Sequence, residues 1–146
     1  MDANEAYYET LEKTKQVVRD VYLPFLAQQQ GGNWWAEECP KYADVDYKIY
    51  FGEKIHHFLE VKCRKHDFGY YRKEKMPIRK HAVAKMIMDY FKVKTVYLVC
   101  WSDRIAYLIL NNRPDEFCKM VARADRGTDE DYYCLYDIGR FTVIDR

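Results

Sequence analysis

The chain has 146 residues, enough for one domain with a substantial core and too few for two independent ones. It is 49% hydrophobic and 32% charged with six Gly and four Pro, which excludes a disordered or fibrous chain. The net charge of +1 argues neither for nor against a polyanionic partner, but its distribution does. Between Lys62 and Lys85 nine basic residues face two acids, Asp67 and Glu74, so this window carries seven excess positive charges and the remainder of the chain is acidic.

No uncharged apolar run reaches the length of a membrane span, and "MDANEAYYETLEK" is acidic where a signal peptide would be basic and then apolar. The expectation is an intracellular, cytoplasmic protein without a membrane partner. Five cysteines, an odd number with no C-x-x-C pair, read as reduced thiols.

In chain order, residues 4–27 predict a helix, with Tyr7, Leu11, Thr14, Val18, Val21 and Phe25 on one stripe and Pro24 kinking or ending it. "QQQGGNW" is the loop out. "DYKIYF" alternates with period two, Gly52-Glu53-Lys54 turns, and "IHHFLEVK" follows, together a hairpin. "HDFGYYRKEKMP" reads as a basic, aromatic-rich loop. Beyond Pro77 a helix returns, with Val83, Ile87 and Tyr90/Phe91 as its core stripe. "TVYLVCW" is an all-apolar strand for a sheet centre, and "RIAYLIL" follows after a Ser102-Asp103 turn. After Pro114, "PDEFCKMVARAD" suggests a short helix, "RGTDEDYY" a charged loop, and "YCLYDIGRFTVID" strand, turn, strand. The class is α/β, bordering on α+β, with a mixed central β-sheet flanked by helices in a single domain.

One stretch, "FLEVKCRK" at 58–65, places an acid and a base two residues apart on an apolar strand. As text the acid-x-Lys triplet says little, since about two arise by chance in this composition. Two do occur, Asp46-Tyr47-Lys48 and Glu60-Val61-Lys62. Geometry separates them, because Glu60 and Lys62 share one strand face and the hairpin brings Asp46 to the matching end. Two carboxylates so close repel unless a cation lies between them, and oxygen ligands without His or thiolate suit Mg²⁺, with Mn²⁺ as substitute. Such an ion suits phosphodiester hydrolysis, with Lys62 orienting or deprotonating the water.

Asp46, the turn and "FLEVK", framed by a helix and followed by a basic loop, a helix and an apolar strand, resemble the core of the PD-(D/E)xK nuclease superfamily over about residues 5–110. The likeness is strongest to small phage-encoded members with an ending similar to "YDIGRFTVID". The resemblance implies a restriction-endonuclease-like fold and a Mg²⁺-dependent nuclease acting on duplex or branched DNA in the host cytoplasm, leaving a 5′-phosphate. It assigns Asp46, Glu60 and the Val61 carbonyl to the metal, Lys62 to the water, Glu12 (or Glu9) on the first helix to metal support, and Lys80 to phosphate. Relatives that cut both strands often work as dimers, so a homodimer is within the expectation. Val45 stands where the superfamily has proline, and Asp44 shares the face of Asp46, so the aspartate assignment is open to a slip of two.

Arg64, Lys65, Arg72 and Lys73, interleaved with Tyr70 and Tyr71, suit phosphate contacts with base stacking. Cys63-x-x-His66 and His56-His57 have zinc-like elements, but the second ligand pair is missing. A second functional reading is a nucleic-acid-binding module with the same fold and no chemistry. A third is a protein-protein adaptor.

Overall fold

In the computed structural model, residues 2–110, 114–121 and 130–144 are described. Helix α1 (Ala3–Val17) starts at Asp2, whose side chain accepts the Glu5 N–H at 2.8 Å. Val18–Tyr22 form a wider π-helical turn, in which the Leu23 N–H donates to the Val18 carbonyl, and α2 (Leu23–Gln30) follows. Pro24 explains that turn. It has no N–H for the Asp20 carbonyl and its ring would crowd that oxygen, so the helix widens instead of breaking.

The helix therefore runs three residues past the expected end and stops at Gly31, whose φ is 64°. Gly32 follows with φ 91°, and an added Cβ would overlap the ring of Phe51. Gly32→Ala is expected to destabilise the protein by about 1–3 kcal/mol, read as a lower urea midpoint at unchanged slope.

The main sheet has the order β1 (Trp34–Glu38), β2 (Tyr47–Phe51), β3 (Lys54–Cys63), β5 (Lys94–Cys100), β6 (Ile105–Ile109), β9 (Thr142–Val143). Strand β1 (Trp34–Glu38) pairs antiparallel with β2 (Tyr47–Phe51), and β2 with β3 (Lys54–Cys63), which confirms the hairpin. β1 lies where the sequence shows no period. Its Trp34 is buried while Trp35 stacks flat on Tyr50 across the strands at 4.1 Å, so aromatic pairing identifies it and alternation does not.

β3 runs parallel to β5 (Lys94–Cys100) through the crossover helix α3 (Ile78–Phe91), and β6 (Ile105–Ile109) and β9 (Thr142–Val143) extend the sheet antiparallel. β5 is buried along nearly its whole length. Val96, Leu98 and Cys100 pack with Val17, Val18, Tyr22 and Leu26 of the N-terminal helices, while Tyr97 and Val99 face the second cluster.

That second cluster contains a surprise. Lys73–Pro77 form strand β4 of a separate three-stranded sheet, with β7 (Glu116–Val121) and β8 (Glu130–Asp137) in the order β4-β8-β7. The basic loop thus ends in a strand: Glu74 and Met76 point inward and Lys73 and Lys75 do not. The helix expected from "PDEFCKMV" is a strand as well, its residues paired with β8 from Glu116↔Leu135 to Val121↔Glu130. The rest of that stretch and most of the charged loop, 122–129, lie outside the described residues. The ending "YDIGRFTV" is strand, 3₁₀ turn and strand as expected.

On α3 the buried positions are Ala84 and Ile87, with Phe91 edging onto Phe58 at 5.1 Å, whereas Tyr90 is 82% exposed. Of the expected stripe Ile87 is buried and Val83 half-buried, while Tyr90 and Phe91 are exposed. The inward line is Lys80, Ala84 and Ile87, whose first member is drawn to the sheet by a carboxylate.

Candidate active site

Asp46 stands just before β2 and is tied to β3 and β1 by three hydrogen bonds. Its N–H donates to the Leu59 carbonyl at 3.1 Å, its own carbonyl accepts the Cys39 N–H at 2.8 Å, and its Oδ2 accepts the Val61 N–H at 2.8 Å. The side chain is thereby set beside Glu60, its neighbour across the open end of the hairpin. Asp44 is elsewhere: its carboxylate is 3.5 Å from Arg79 and its carbonyl accepts from Lys80 at 2.9 Å.

Glu60 is only 9% exposed. Its Oε2 is 2.9 Å from Lys80 Nζ, which reaches down from the first turn of α3, while its Oε1 is buried without a hydrogen-bond partner. Burial, then the nearby Asp46 carboxylate, push Glu60 up to about 7 in spite of Lys80. Lys62, two residues on, is an exposed residue whose ammonium is still partly desolvated by the protein around it, and that desolvation, followed by Arg64, lowers its pKa.

The raised Glu60 pKa has a thermodynamic consequence. Its native value of about 7 lies above the ordinary 4.5, so folding takes up a proton. The stability this contributes is complete below about pH 4.5 and lost as pH rises to about 7, a change of about 3 kcal/mol. Urea denaturation of the metal-free protein should show that slope, and Glu60→Gln should lack it and be more stable than wild type near pH 8. Equal slopes in the two proteins would contradict the assignment.

Asp46 also lines a cleft of about 430 Å³, with Glu38 and Cys39 at the end of β1 and Leu11 and Thr14 from α1. The sequence reading missed Glu38 and Cys39, for which the only signal was an acid pair closing an aromatic run. Glu9 and Glu12 are not among the residues that line the cleft; Glu12 is turned to solvent, 3.9 Å from Lys15.

Of the basic window, Lys80 is spent on Glu60, Arg79 on Asp44 and Lys73 on Glu116 at 2.7 Å. Arg64, expected on phosphate, turns inward: its guanidinium pairs with the buried carboxylate of Glu74, which also accepts the Tyr97 hydroxyl at 2.9 Å. Lys62, Lys65, Arg72 and Lys85 have no ion pair among the described residues. Tyr70 and Tyr71 are 71% and 58% exposed beside them.

The zinc elements do not assemble. A bulge opposite Ile49/Tyr50 brings the rings of His56 and His57 together, Nδ1 to Nδ1 at 2.7 Å, where regular alternation would separate them. His57 is buried, bonded to the Tyr22 hydroxyl at 2.6 Å, and pushed down to about 3 chiefly by burial.

The family model described as "Phage putative PDDEXK endonuclease" matches residues 27–144. The chain belongs to that family. Its span includes Asp46, Glu60, Lys62 and Lys80 and leaves out Glu9 and Glu12. As a member of this endonuclease family the chain is a nuclease by descent, and its mixed sheet flanked by helices is the restriction-endonuclease-like core. Among solved structures, the chain is similar to Hjc of Archaeoglobus fulgidus, a Holliday junction resolvase from an archaeal hyperthermophile. The two are 11% identical at a TM-score of 0.44, covering 79% of this chain and 91% of that one. No curated protein matches the chain.

The donors of the candidate site decide whether it fits a metal. Among the described residues no three His, Cys, Asp or Glu side chains are grouped to hold an ion. Mg²⁺ needs less, because it keeps several waters and takes one or two carboxylates. Asp46 and Glu60, with the orphaned Glu60 Oε1, supply that much.

Proposed function

We propose that the protein is a Mg²⁺-dependent deoxyribonuclease that hydrolyses phosphodiester bonds in duplex or branched DNA. The observation that carries this reading is Glu60: a carboxylate buried at 9% exposure, one oxygen without a partner, held beside Asp46, which itself lines an open cleft. Burying such a group costs free energy that nothing in the fold requires, and a divalent cation accounts for it.

In this reading Asp46, Glu60 and the main-chain carbonyl of Val61 would hold Mg²⁺ or Mn²⁺. When bound, the ion supplies Lewis acidity toward a phosphoryl oxygen and acidifies a water molecule. Lys62, its pKa already lowered, orients that water and takes its proton. The water oxygen bonds to phosphorus, the bond to the 3′-oxygen breaks and that oxygen takes a proton from solvent, so the products are a 5′-phosphate and a 3′-hydroxyl. Lys80 holds Glu60 before substrate arrives and meets the phosphate afterwards. Glu12 would support the metal only by a change of rotamer toward the cleft.

Binding of the ion must displace the Glu60 proton. Mn²⁺ affinity is expected to rise about tenfold per pH unit up to about pH 7 and level off above it, measured by isothermal titration. A pH-independent affinity would remove Glu60 from the ligand set.

The deciding experiment is cleavage of end-labelled duplex and branched DNA. Cutting in Mg²⁺ or Mn²⁺, none in Ca²⁺ or EDTA, and ligatable 5′-phosphate ends are expected. DNA binding without cleavage under any of these ions would overturn the enzyme reading in favour of a binding module that kept the fold.

A further inference from the structure

The chain leaves β3 one residue after Lys62 and enters a loop, Arg64–Arg72, whose backbone is unusually well tied. The Arg64 N–H donates to the Cys100 carbonyl at 2.8 Å, continuing the β3–β5 pairing. Ser102 then holds the loop twice, its N–H on the His66 carbonyl at 3.1 Å and its hydroxyl on the Lys65 carbonyl at 2.8 Å. Asp103 Oδ1 accepts the Phe68 N–H at 2.8 Å, and the Phe68 ring stands edge-on to buried Trp101 at 4.9 Å. A turn at Gly69, with φ 85° and the Tyr70 N–H donating to Asp67, reverses the chain. At the far end the Arg72 carbonyl accepts the Ile138 N–H at 2.8 Å.

Two large rings nonetheless stand out in solvent on this anchored loop. Tyr70 and Tyr71 meet edge to face at 4.8 Å, interplanar angle 85°, and Tyr71 stands against His66 in the same way at 89°. In an edge-to-face pair one ring sets its edge against a single face of the other, and the exposure of both tyrosines shows that ring surface beyond these contacts stays open to solvent. Neither tyrosine packs into either core cluster, so folding offers no reason for two exposed aromatics at 71% and 58%. The cations flanking them, Lys65 and Arg72, carry no ion pair among the described residues. Lys62 and His66 are four residues apart, so at most about 14 Å separates their Cα atoms, and the Tyr71 ring lies 4.9 Å from the His66 ring.

Open aromatic faces among unpaired cations, pre-organised by a fixed loop, are the parts of a base-stacking platform. Bases inside a continuous duplex already have both faces covered. Only unpaired nucleotides have a face to offer. We propose that Tyr70 and Tyr71 form a stacking site for one or two unpaired bases, and that the DNA this protein acts on carries a single-stranded segment, a flap or an unpaired branch, beside the phosphate that is cut. This rests on the reading of the chain as a DNA-directed nuclease, and the site itself is a binding device that the chemistry at Glu60 does not use.

The test measures dissociation constants by fluorescence anisotropy in EDTA, on oligothymidylate, a flapped duplex and a blunt duplex of equal length. Wild type should bind the flap and oligothymidylate more tightly than the blunt duplex; equal affinity for all three overturns the proposal without any variant. Tyr70→Ala/Tyr71→Ala should weaken binding to the two DNAs with unpaired bases about tenfold or more and change the blunt duplex by no more than about twofold. Tyr70→Phe/Tyr71→Phe, which keeps the rings, should behave as wild type. An unchanged flap affinity in the alanine variant, or the same loss on all three DNAs, overturns the stacking site. Cleavage in Mg²⁺ is scored separately on the same DNAs. Selective binding with no cutting anywhere overturns the nuclease reading and leaves the stacking site standing, whereas cutting without selective binding does the reverse.

Discussion

Glu60→Ala is expected to lower DNA cleavage by at least about a thousandfold while leaving DNA binding within a few-fold of wild type. The size follows from where the carboxylate sits. It is nine-tenths buried, beside Asp46, and without it Asp46 is left as the single carboxylate of the proposed ligand set. The same substitution removes a buried charge and should not unfold the protein, because Lys80 keeps the Asp44 carbonyl as an acceptor. Lost activity together with retained or raised stability is the pattern of a functional group, and a structural role would produce the opposite. Lys62→Ala should lose cleavage comparably. Lys62→Arg should not rescue it, since a guanidinium stays protonated and cannot accept the proton of water. Full activity in Glu60→Ala would sink the whole assignment, and full activity in Lys62→Ala would remove the lysine from the chemistry.

The largest expected effect on stability lies elsewhere, at Glu74. Its carboxylate, 5% exposed, receives the Arg64 guanidinium and the Tyr97 hydroxyl, and Arg64 also donates to the Lys75 carbonyl at 3.1 Å. These bonds join β5 and the residue just past β3 of the main sheet to β4 of the small one. Glu74→Ala leaves a largely buried guanidinium without its counter-charge and a buried hydroxyl without its acceptor. The expected cost is about 3–5 kcal/mol, or roughly a 10 °C fall in melting temperature for a chain of this size. Glu74→Gln, which can still accept both donors, should cost clearly less, and a loss below about 1 kcal/mol in Glu74→Ala would show that the network contributes little. Cleavage per folded molecule should survive in both variants, which separates this network from the site at Glu60.

Arg64 illustrates why the basic window was only partly readable. In sequence its cations are equivalent, and counting them predicts a phosphate-binding face. In the fold four of them are committed to carboxylates, three of which, Asp44, Glu60 and Glu116, come from outside the window. The availability of a charge depends on partners distant in the chain, and no local pattern records them. The two small-sheet errors have the same origin. "KEKMP" and "EFCKMV" are strands because β8 lies between them, and their own propensities leave that open.

The local elements were otherwise legible from short-range chemistry. Period-two alternation gave β2 and β3, an unbroken apolar run gave β5, proline at the start gave α3, and Pro24 announced a disturbance that the fold resolves as a π-turn. The pairing of Glu60 with Lys62 on one strand face, and the hairpin that carries Asp46 to them, also follow from period and turn alone. Tertiary structure alone decided which aspartate faces Glu60, that Lys80 closes over it, that Glu12 stays in solvent and that Tyr70 and Tyr71 are left uncovered. Each of those is a question of which surfaces meet. Periodicity encodes the face a residue occupies within its own element, whereas burial, desolvation and charge pairing arise only when that face finds another.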